Sequence, residues 1–291
     1  MMRCELAENM NLKMNPKTTL SISLILLLTF FSLHGCYTNR LLNEVEITPE
    51  QQQPSSTLDF ASIKDISKRK QAFFDALRPQ IEEENKRLSA LRSYIQQHDM
   101  SKPSGQLRQL AAQYRIKTDT QHLKQALLEK VDAIPQSLVL AQAAIESAWG
   151  TSRFATQGNN LFGQWCFSPG CGIIPAQRPA GAHHEVKQFD SPAQSIQSYM
   201  LNLNSHPAYA TLRKNRLTLR NSNEAPNGCF LAEGLIDYSE RKEQYIASLK
   251  QLIRVNSLED RLSPYCKKPP TPIVSANLEE IPASPQPSEK E

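Results

Sequence analysis

Apolar residues recur at three- and four-residue steps through most of residues 63–256, and the pattern lapses between Gly158 and Asp190. A chain patterned this way packs helix on helix and leaves room for only a small β region. Helices are expected over 63–95, 106–114, 120–130, through the segment carrying Glu146, and over 192–204, 209–214, 230–236 and 240–256. In the first of these, Ile66, Phe73, Leu77, Ile81, Leu88 and Leu91 form one apolar stripe. That stripe is expected to pack on the rest of the domain rather than on a heptad partner. Pro79 is expected to kink or interrupt the helix. The lapsed stretch is rich in glycine and proline, and Glu185 to Phe189 reads as a short strand, hairpin arm or extended loop. The expected fold class is therefore mainly α (α+β), with a small β-hairpin or irregular lobe.

One segment carries chemistry as well as pattern. Ile134, Leu138, Ala141, Ile145 and Trp149 share a stripe of one helix, and Pro135 suits its first turn. Glu146 lies one position from that stripe, about 100° round the helix, at the border of core and cleft. Partial burial penalises the charged carboxylate and raises its pKa. A carboxyl still protonated near neutrality is what a glycosidase uses to protonate a departing sugar oxygen. Taken alone, the carboxylate reads better as a solvated helix-end glutamate, which is what most such glutamates are.

Ala143-Ala144-Ile145-Glu146-Ser147-Ala148-Trp149-Gly150, followed by Asn159-Asn160-Leu161-Phe162-Gly163, resembles the N-acetylglucosaminidases of glycoside hydrolase family 73. Those are lysozyme-like enzymes that cut bacterial peptidoglycan. The likeness continues through Phe189-Asp190-Ser191-Pro192, Ser195-Ile196, Tyr199, His206-Pro207-Ala208-Tyr209 and Asp237-Tyr238-Ser239, covering residues 105 to 258. Phe73-Phe74-Asp75-Ala76-Leu77-Arg78-Pro79 with Glu82-Glu83-Glu84-Asn85 resembles the Bax-like branch of envelope proteins. The resemblance implies a lysozyme-like helical domain with its β-hairpin or irregular lobe over an active-site cleft. It implies hydrolysis of the β-1,4 bond between N-acetylglucosamine and N-acetylmuramic acid, with Glu146 as general acid. It places the second acidic residue at Glu185, to activate water or stabilise an oxocarbenium-like transition state. Asp190 is the alternative carboxylate, although its setting looks like a helix cap. Tyr238 matches a family tyrosine that holds substrate near the acid, which also suits assistance by the substrate's acetamido group.

By the same resemblance Asn160 and Phe162 shape the cleft floor as substrate-binding residues. Tyr199 and Tyr209 are either sugar platforms or core tyrosines. Trp149 and Trp165 are candidates for stacking on sugars, with Trp149 the better core residue. His183 and His184 are read as surface histidines, since no third ligand stands at metal-site spacing. No metal or other cofactor is expected. Two other functions stay open: a lytic transglycosylase or muramidase, and a wall-binding lipoprotein without catalysis.

The termini suggest export. Lys13 and Lys17 precede the apolar run Leu20 to Phe31, too short to span a membrane comfortably and patterned as a signal peptide. Leu33-His34-Gly35-Cys36 resembles a lipobox, in which Cys36 becomes the lipidated first residue, and Tyr37 then favours the outer membrane of a Gram-negative cell. The expected divisions are a leader over 1–36, a tether over 37–60, a helical extension over 61–104, the glucosaminidase domain over 105–263 and a Pro-rich disordered tail over 264–291. An oxidising compartment suits disulfides. Cys166 and Cys171 enclose a Pro-Gly turn that makes a local bridge easy, and Cys229–Cys266 would tie the last helices together. Four cysteines still allow three pairings, and zinc is the weaker alternative. The net charge of +4 lacks any dense basic stripe, so nucleic acid is not an expected partner. The partners expected are peptidoglycan glycan strands and, through the anchor, a membrane.

Overall fold

The computed structural model describes residues 59–117, 121–178, 181–260 and 263–267. The leader, Cys36, all but the end of the tether, and the tail beyond Lys267 lie outside the described residues. Helix α1 spans Ile66–Gln97 and starts where the Asp65 side chain accepts from the Lys68 amide. Its buried stripe includes Phe73, Phe74, Leu77, Ile81, Leu88, Leu91 and Ile95. Pro79 lies inside α1 without ending it, so of the expected kink or interruption the interruption does not occur. A proline costs a helix interior about 3 kcal/mol. Phe73, Phe74, Leu77 and Ile81, buried around it, each contribute about 1.5–3 kcal/mol, which outweighs that cost.

The apolar face of α1 packs on three helices: α3 (Leu123–Lys130), α4 (Gln136–Glu146) and α6 (Pro192–Ser205). Short helix α2, Gly105–Gln113, lies between α1 and α3 in the chain and is capped by Ser104. Polar side chains fix the α1–α4 register. Asn85 donates to the Ile134 carbonyl at 2.8 Å and accepts from its amide at 3.0 Å. Arg78 and Gln136 exchange a second pair of bonds. The turn entering α4 is held from the other side by Arg216, which donates to the carbonyls of Asp132 and Ala133.

Helix α4 is buried at every position from Ser137 to Ala144, so it is the central element of the domain. It ends at Glu146, and the chain then turns through Ala148, Trp149 and Gly150, all with positive φ. Ile134 and Trp149 therefore fall outside the helix whose stripe they were expected to share. Trp149 is half-buried and packs edge-on against Phe73 and Phe74, at 5.9 and 5.2 Å between centroids. Gly150 is required twice over: its φ is +75°, and a Cβ there would sit 2.5 Å from the Phe60 ring.

Helix α5, Arg153–Gly158, leads into a three-stranded antiparallel sheet. Strand β3 (Glu185–Lys187) lies between β1 (Trp165–Cys166) and β2 (Gly172–Ile173), with Trp165 opposite Val186 and Gly172 opposite Lys187. Helix α6 is capped by Ser191, one residue beyond the Asp190 that looked like the cap; the Ser191 hydroxyl accepts from the Gln194 amide. Helix α7 runs Ala210–Asn221, longer than the expected 209–214, and buries Leu212, Arg213, Arg216 and Leu219. Helices α8 (Gly228–Ala232) and α9 (Glu243–Val255) close on α4. The fold is mainly α and lysozyme-like with a small β region.

Disulfides join Cys166 to Cys171 and Cys229 to Cys266. The second bridge ties α8 to a 3-10 turn at Pro264–Cys266, so the tie lies beyond the expected domain end at 263. Among the described residues no helix is long and apolar enough to cross a membrane.

Candidate active site

Glu146 sits half-buried where α4 stops. Ser147 makes that stop firm: its hydroxyl donates to the Ala143 carbonyl at 2.6 Å and accepts the Gly150 amide at 2.8 Å. The turn carries the chain away and leaves the carboxyl at the helix end rather than beneath a further turn. Burial pushes the Glu146 carboxyl up to about 7, against the opposing pull of a hydrogen bond from Tyr245 and the charge of Arg241. At neutral pH the group is thus divided between acid and conjugate base, as a general acid requires.

Tyr245, in the first turn of α9, donates to Glu146 Oε1 at 2.8 Å. Its ring stacks on Tyr238 with centroids 5.5 Å apart and planes 5° from parallel. Tyr238 donates to the Phe162 carbonyl at 3.2 Å and lies 6.0 Å from Tyr209. Phe162 in turn stacks on Tyr199 at 3.9 Å. Beneath this aromatic wall, Gln142 joins Tyr199 to Tyr245. Burial holds the phenols of Tyr199, Tyr238 and Tyr245 well above the usual range and moves Tyr209 up to about 12. All four stay protonated near neutrality and serve as neutral donors.

The structure thus joins Glu146, Tyr238, Phe162, Tyr199 and Tyr209 in one cluster. Tyr199 is only 1% exposed and lies under Phe162, in the core position that was one of its two expected roles. Asn160 is buried with all its hydrogen-bonding capacity used. Its amide donates to the Gln164 and Lys187 carbonyls, and its oxygen accepts from the Phe162 and Gln164 amides. Any effect of Asn160 on substrate therefore passes through the loop it braces.

Glu185 is held elsewhere. It is the first residue of β3, and its two carboxylate oxygens accept from the Gly170 and Gly172 amides at 3.0 and 2.8 Å. Those amides hold its carboxyl below the ordinary glutamate range, so it stays ionised. The bonds tie it to the Cys166–Cys171 loop, while Glu146 is tied to the tyrosine cluster. Gly172 is the only residue type that fits at that edge, because a Cβ there would lie 2.0 Å from the Val186 carbonyl oxygen. His184 is buried and stacks on Trp165 at 4.3 Å, not on the surface as expected. An apolar indole face offers a packing partner that the sequence pattern of the irregular lobe does not reveal.

Among the described residues two cysteine groups stand close to a carboxylate, Cys166 and Cys171 with Glu185, and Cys229 and Cys266 with Glu259. All four sulfurs are taken up in disulfides, which removes the thiolates a zinc site needs.

Gln142 and Tyr245 carry no mark in the motif reading. Gln142 is the lone amide in an otherwise apolar run one turn before Glu146, and Tyr245 heads the stripe Ile246, Leu249 and Ile253. A buried polar residue on the side of a helix bearing a candidate acid is the signal that identifies the first. The second requires the tertiary contact between α4 and α9.

Residues 121–258 match the Glucosaminidase family, described as mannosyl-glycoprotein endo-beta-N-acetylglucosaminidase. The chain is 32% identical over 214 residues to Protein bax of Escherichia coli (strain K12), covering 69% of this chain and 76% of that protein. No solved structure matches the chain significantly.

Proposed function

The chain belongs to the Bax-like proteins that carry a glucosaminidase domain, and on that premise we propose that it is a peptidoglycan endo-β-N-acetylglucosaminidase. The bond cut is the β-1,4 link between N-acetylglucosamine and N-acetylmuramic acid. The observation that carries this reading is Glu146, a carboxyl raised to about 7 at the end of a buried helix and faced by a wall of tyrosines. Glu146 delivers its proton to the leaving oxygen. Tyr238, half-buried and with its hydroxyl fixed to the Phe162 carbonyl, holds the sugar beside the acid.

Glu185 is the proposed second carboxylate. Its ionised state suits a group that stabilises positive charge or draws a proton from water. Its ties to the Gly170 and Gly172 amides mean that it acts together with the disulfide loop and not as a free side chain. Phe162, Tyr209 and the loop braced by Asn160 shape the floor on which the glycan lies.

The products of digestion distinguish this reading from its neighbours. Purified sacculi incubated with the full chain are expected to yield new N-acetylglucosamine reducing ends, read by borohydride reduction and mass analysis. Anhydro-muramyl ends would transfer the chain to the transglycosylases. Binding to sacculi without release of fragments at any pH would leave it a wall-binding protein.

We also propose that Cys36 is the lipidated first residue of the mature protein in the outer membrane, which would set the domain within reach of the wall through residues 37–60. Mass analysis of the protein from a Gram-negative host is expected to show an N-terminal diacylglyceryl cysteine. An unmodified Cys36, or a mature chain beginning elsewhere, overturns the anchor.

A further inference from the structure

Four polar groups from three helices form a single file: Tyr199 on α6, Gln142 and Glu146 on α4, and Tyr245 on α9. The Tyr199 hydroxyl donates to Gln142 Oε1. Gln142 Nε2 donates to the Tyr245 oxygen at 2.9 Å, and the Tyr245 hydroxyl donates to Glu146 Oε1 at 2.8 Å. Tyr199 and Gln142 are fully buried and Tyr245 is nearly so, so no solvent competes for these bonds.

We propose that Gln142 and Tyr199 are positioning residues that, through Tyr245, set the direction of this chain and confine the acid proton of Glu146 to Oε2. The inference rests on Glu146 being the general acid. A glutamine amide carries an acceptor and a donor side by side in one plane. Tyr199 has one proton, and placing it on Gln142 Oε1 leaves the amide's N–H groups toward Tyr245. The Tyr245 oxygen then acts as acceptor for Gln142, which turns its own proton to Glu146 Oε1. An oxygen that accepts this bond is the wrong one to carry the acid proton, so Oε2 carries it. When that proton passes to the leaving sugar oxygen, the Tyr245 hydroxyl is already in place to stabilise the new carboxylate. No group has to turn during the step. Were the amide reversed, Tyr245 would donate to Gln142 and Glu146 would lose its donor.

The competing account makes Gln142 a satisfied core amide that links three helices, which would cost stability when removed and leave the acid alone. The groups facing Glu146 by charge or contact are Tyr245 and Arg241 from the α9 side, Tyr238, Tyr199 from α6, and Tyr209. Of these, Tyr199 lies three hydrogen bonds away, through Gln142 and Tyr245, and its change to Phe removes one oxygen without opening a cavity.

The test follows the Glu146 carboxyl by carbon-13 NMR in the full chain labelled at the glutamate side-chain carboxyl, with the resonance identified by its loss in Glu146→Gln. Tyr245→Phe is expected to raise the midpoint from about 7 by roughly one pH unit, the size of a lost hydrogen bond to a charged group. Tyr199→Phe is expected to raise it by a smaller amount, and to add nothing in the Tyr245→Phe background. An unmoved midpoint in Tyr199→Phe, or a shift that persists undiminished without the Tyr245 hydroxyl, overturns the proposal. Gln142→Met provides a second route, with the same direction expected. Sacculus digestion fails separately: if the wild type releases nothing, the catalytic reading is lost, while the titration still decides whether the chain is directional.

Discussion

Glu146→Gln is expected to lower release of soluble fragments from sacculi roughly a thousandfold while the domain stays folded, since general acid catalysis contributes on this scale. The amide has the shape of the carboxyl and can still accept from Tyr245, but it has no proton to give at neutral pH. A variant that digests sacculi at close to the wild-type rate would remove Glu146 from the mechanism. The same substitution has a second, opposite signature in stability. A glutamate carboxyl titrates near 4.5 when unperturbed and near 7 here, raised by burial. Between those values the folded protein keeps a proton that the unfolded chain has lost, so wild-type stability falls as pH rises through the window. The glutamine does not titrate. Denaturation at a series of pH values should therefore show the variant gaining on the wild type by up to about 3 kcal/mol from acid to neutral pH. A flat difference would mean that the carboxyl is not desolvated. Activity should decline above about pH 7 as the acid form is lost.

What was legible in the chain and what was not follow from the range of the forces involved. Glu146 stood out because the motif, the apolar stripe and the glycine stop all act within a few residues. Helix α1 was legible for the same reason, except at Pro79, where local preference yields to the burial of Phe73, Leu77 and Ile81. The end of α4 was misjudged by one turn because Trp149 matches helical spacing but finds its partners, Phe73 and Phe74, on α1. Ser191 displaced Asp190 as a cap through the bond it makes to the Gln194 amide, a choice that spacing alone leaves open. Tyr245 and Gln142 stayed hidden because their meaning depends on α9 and α6 meeting α4. Asp132 was invisible for the same reason: the guanidinium groups that face it stand on α1 and α7.

Asp132→Asn is expected to cost about 3–5 kcal/mol at neutral pH, the usual penalty for leaving buried partner charges uncompensated. The Asp132 side chain is 3% exposed and faces three guanidinium groups: Arg220 at 2.8 Å, Arg92 at 3.5 Å and Arg216 at 3.7 Å. Burial by itself pushes its carboxyl up, but the Arg220 hydrogen bond and the charges of Arg216 and Arg92 outweigh that and hold it below the usual aspartate range. An asparagine keeps the size and some hydrogen bonds but leaves three cations facing one another. Thermal unfolding should show a fall in Tm of roughly 10 °C. A depressed carboxyl contributes stability above its unfolded pKa and loses it as pH drops through the folded value, so the gap between variant and wild type should close in strong acid. Removing the exposed pair Lys86–Glu82, at 3.1 Å on the outer face of α1, should change stability by under about 1 kcal/mol and serves as the control. An equal effect at both sites would mean that the Asp132 cluster is no more than surface charge. Asp132 precedes the N-terminal end of α4 and Glu146 closes its C-terminal end, and the 11 residues of helix between those ends span about 16 Å at 1.5 Å per residue. Below its melting range Asp132→Asn should therefore keep turnover per folded molecule within a few-fold of wild type, while Glu146→Gln keeps its fold and loses turnover. If Asp132→Asn instead loses turnover while fully folded, the entry to α4 also governs the geometry of the acid at its far end.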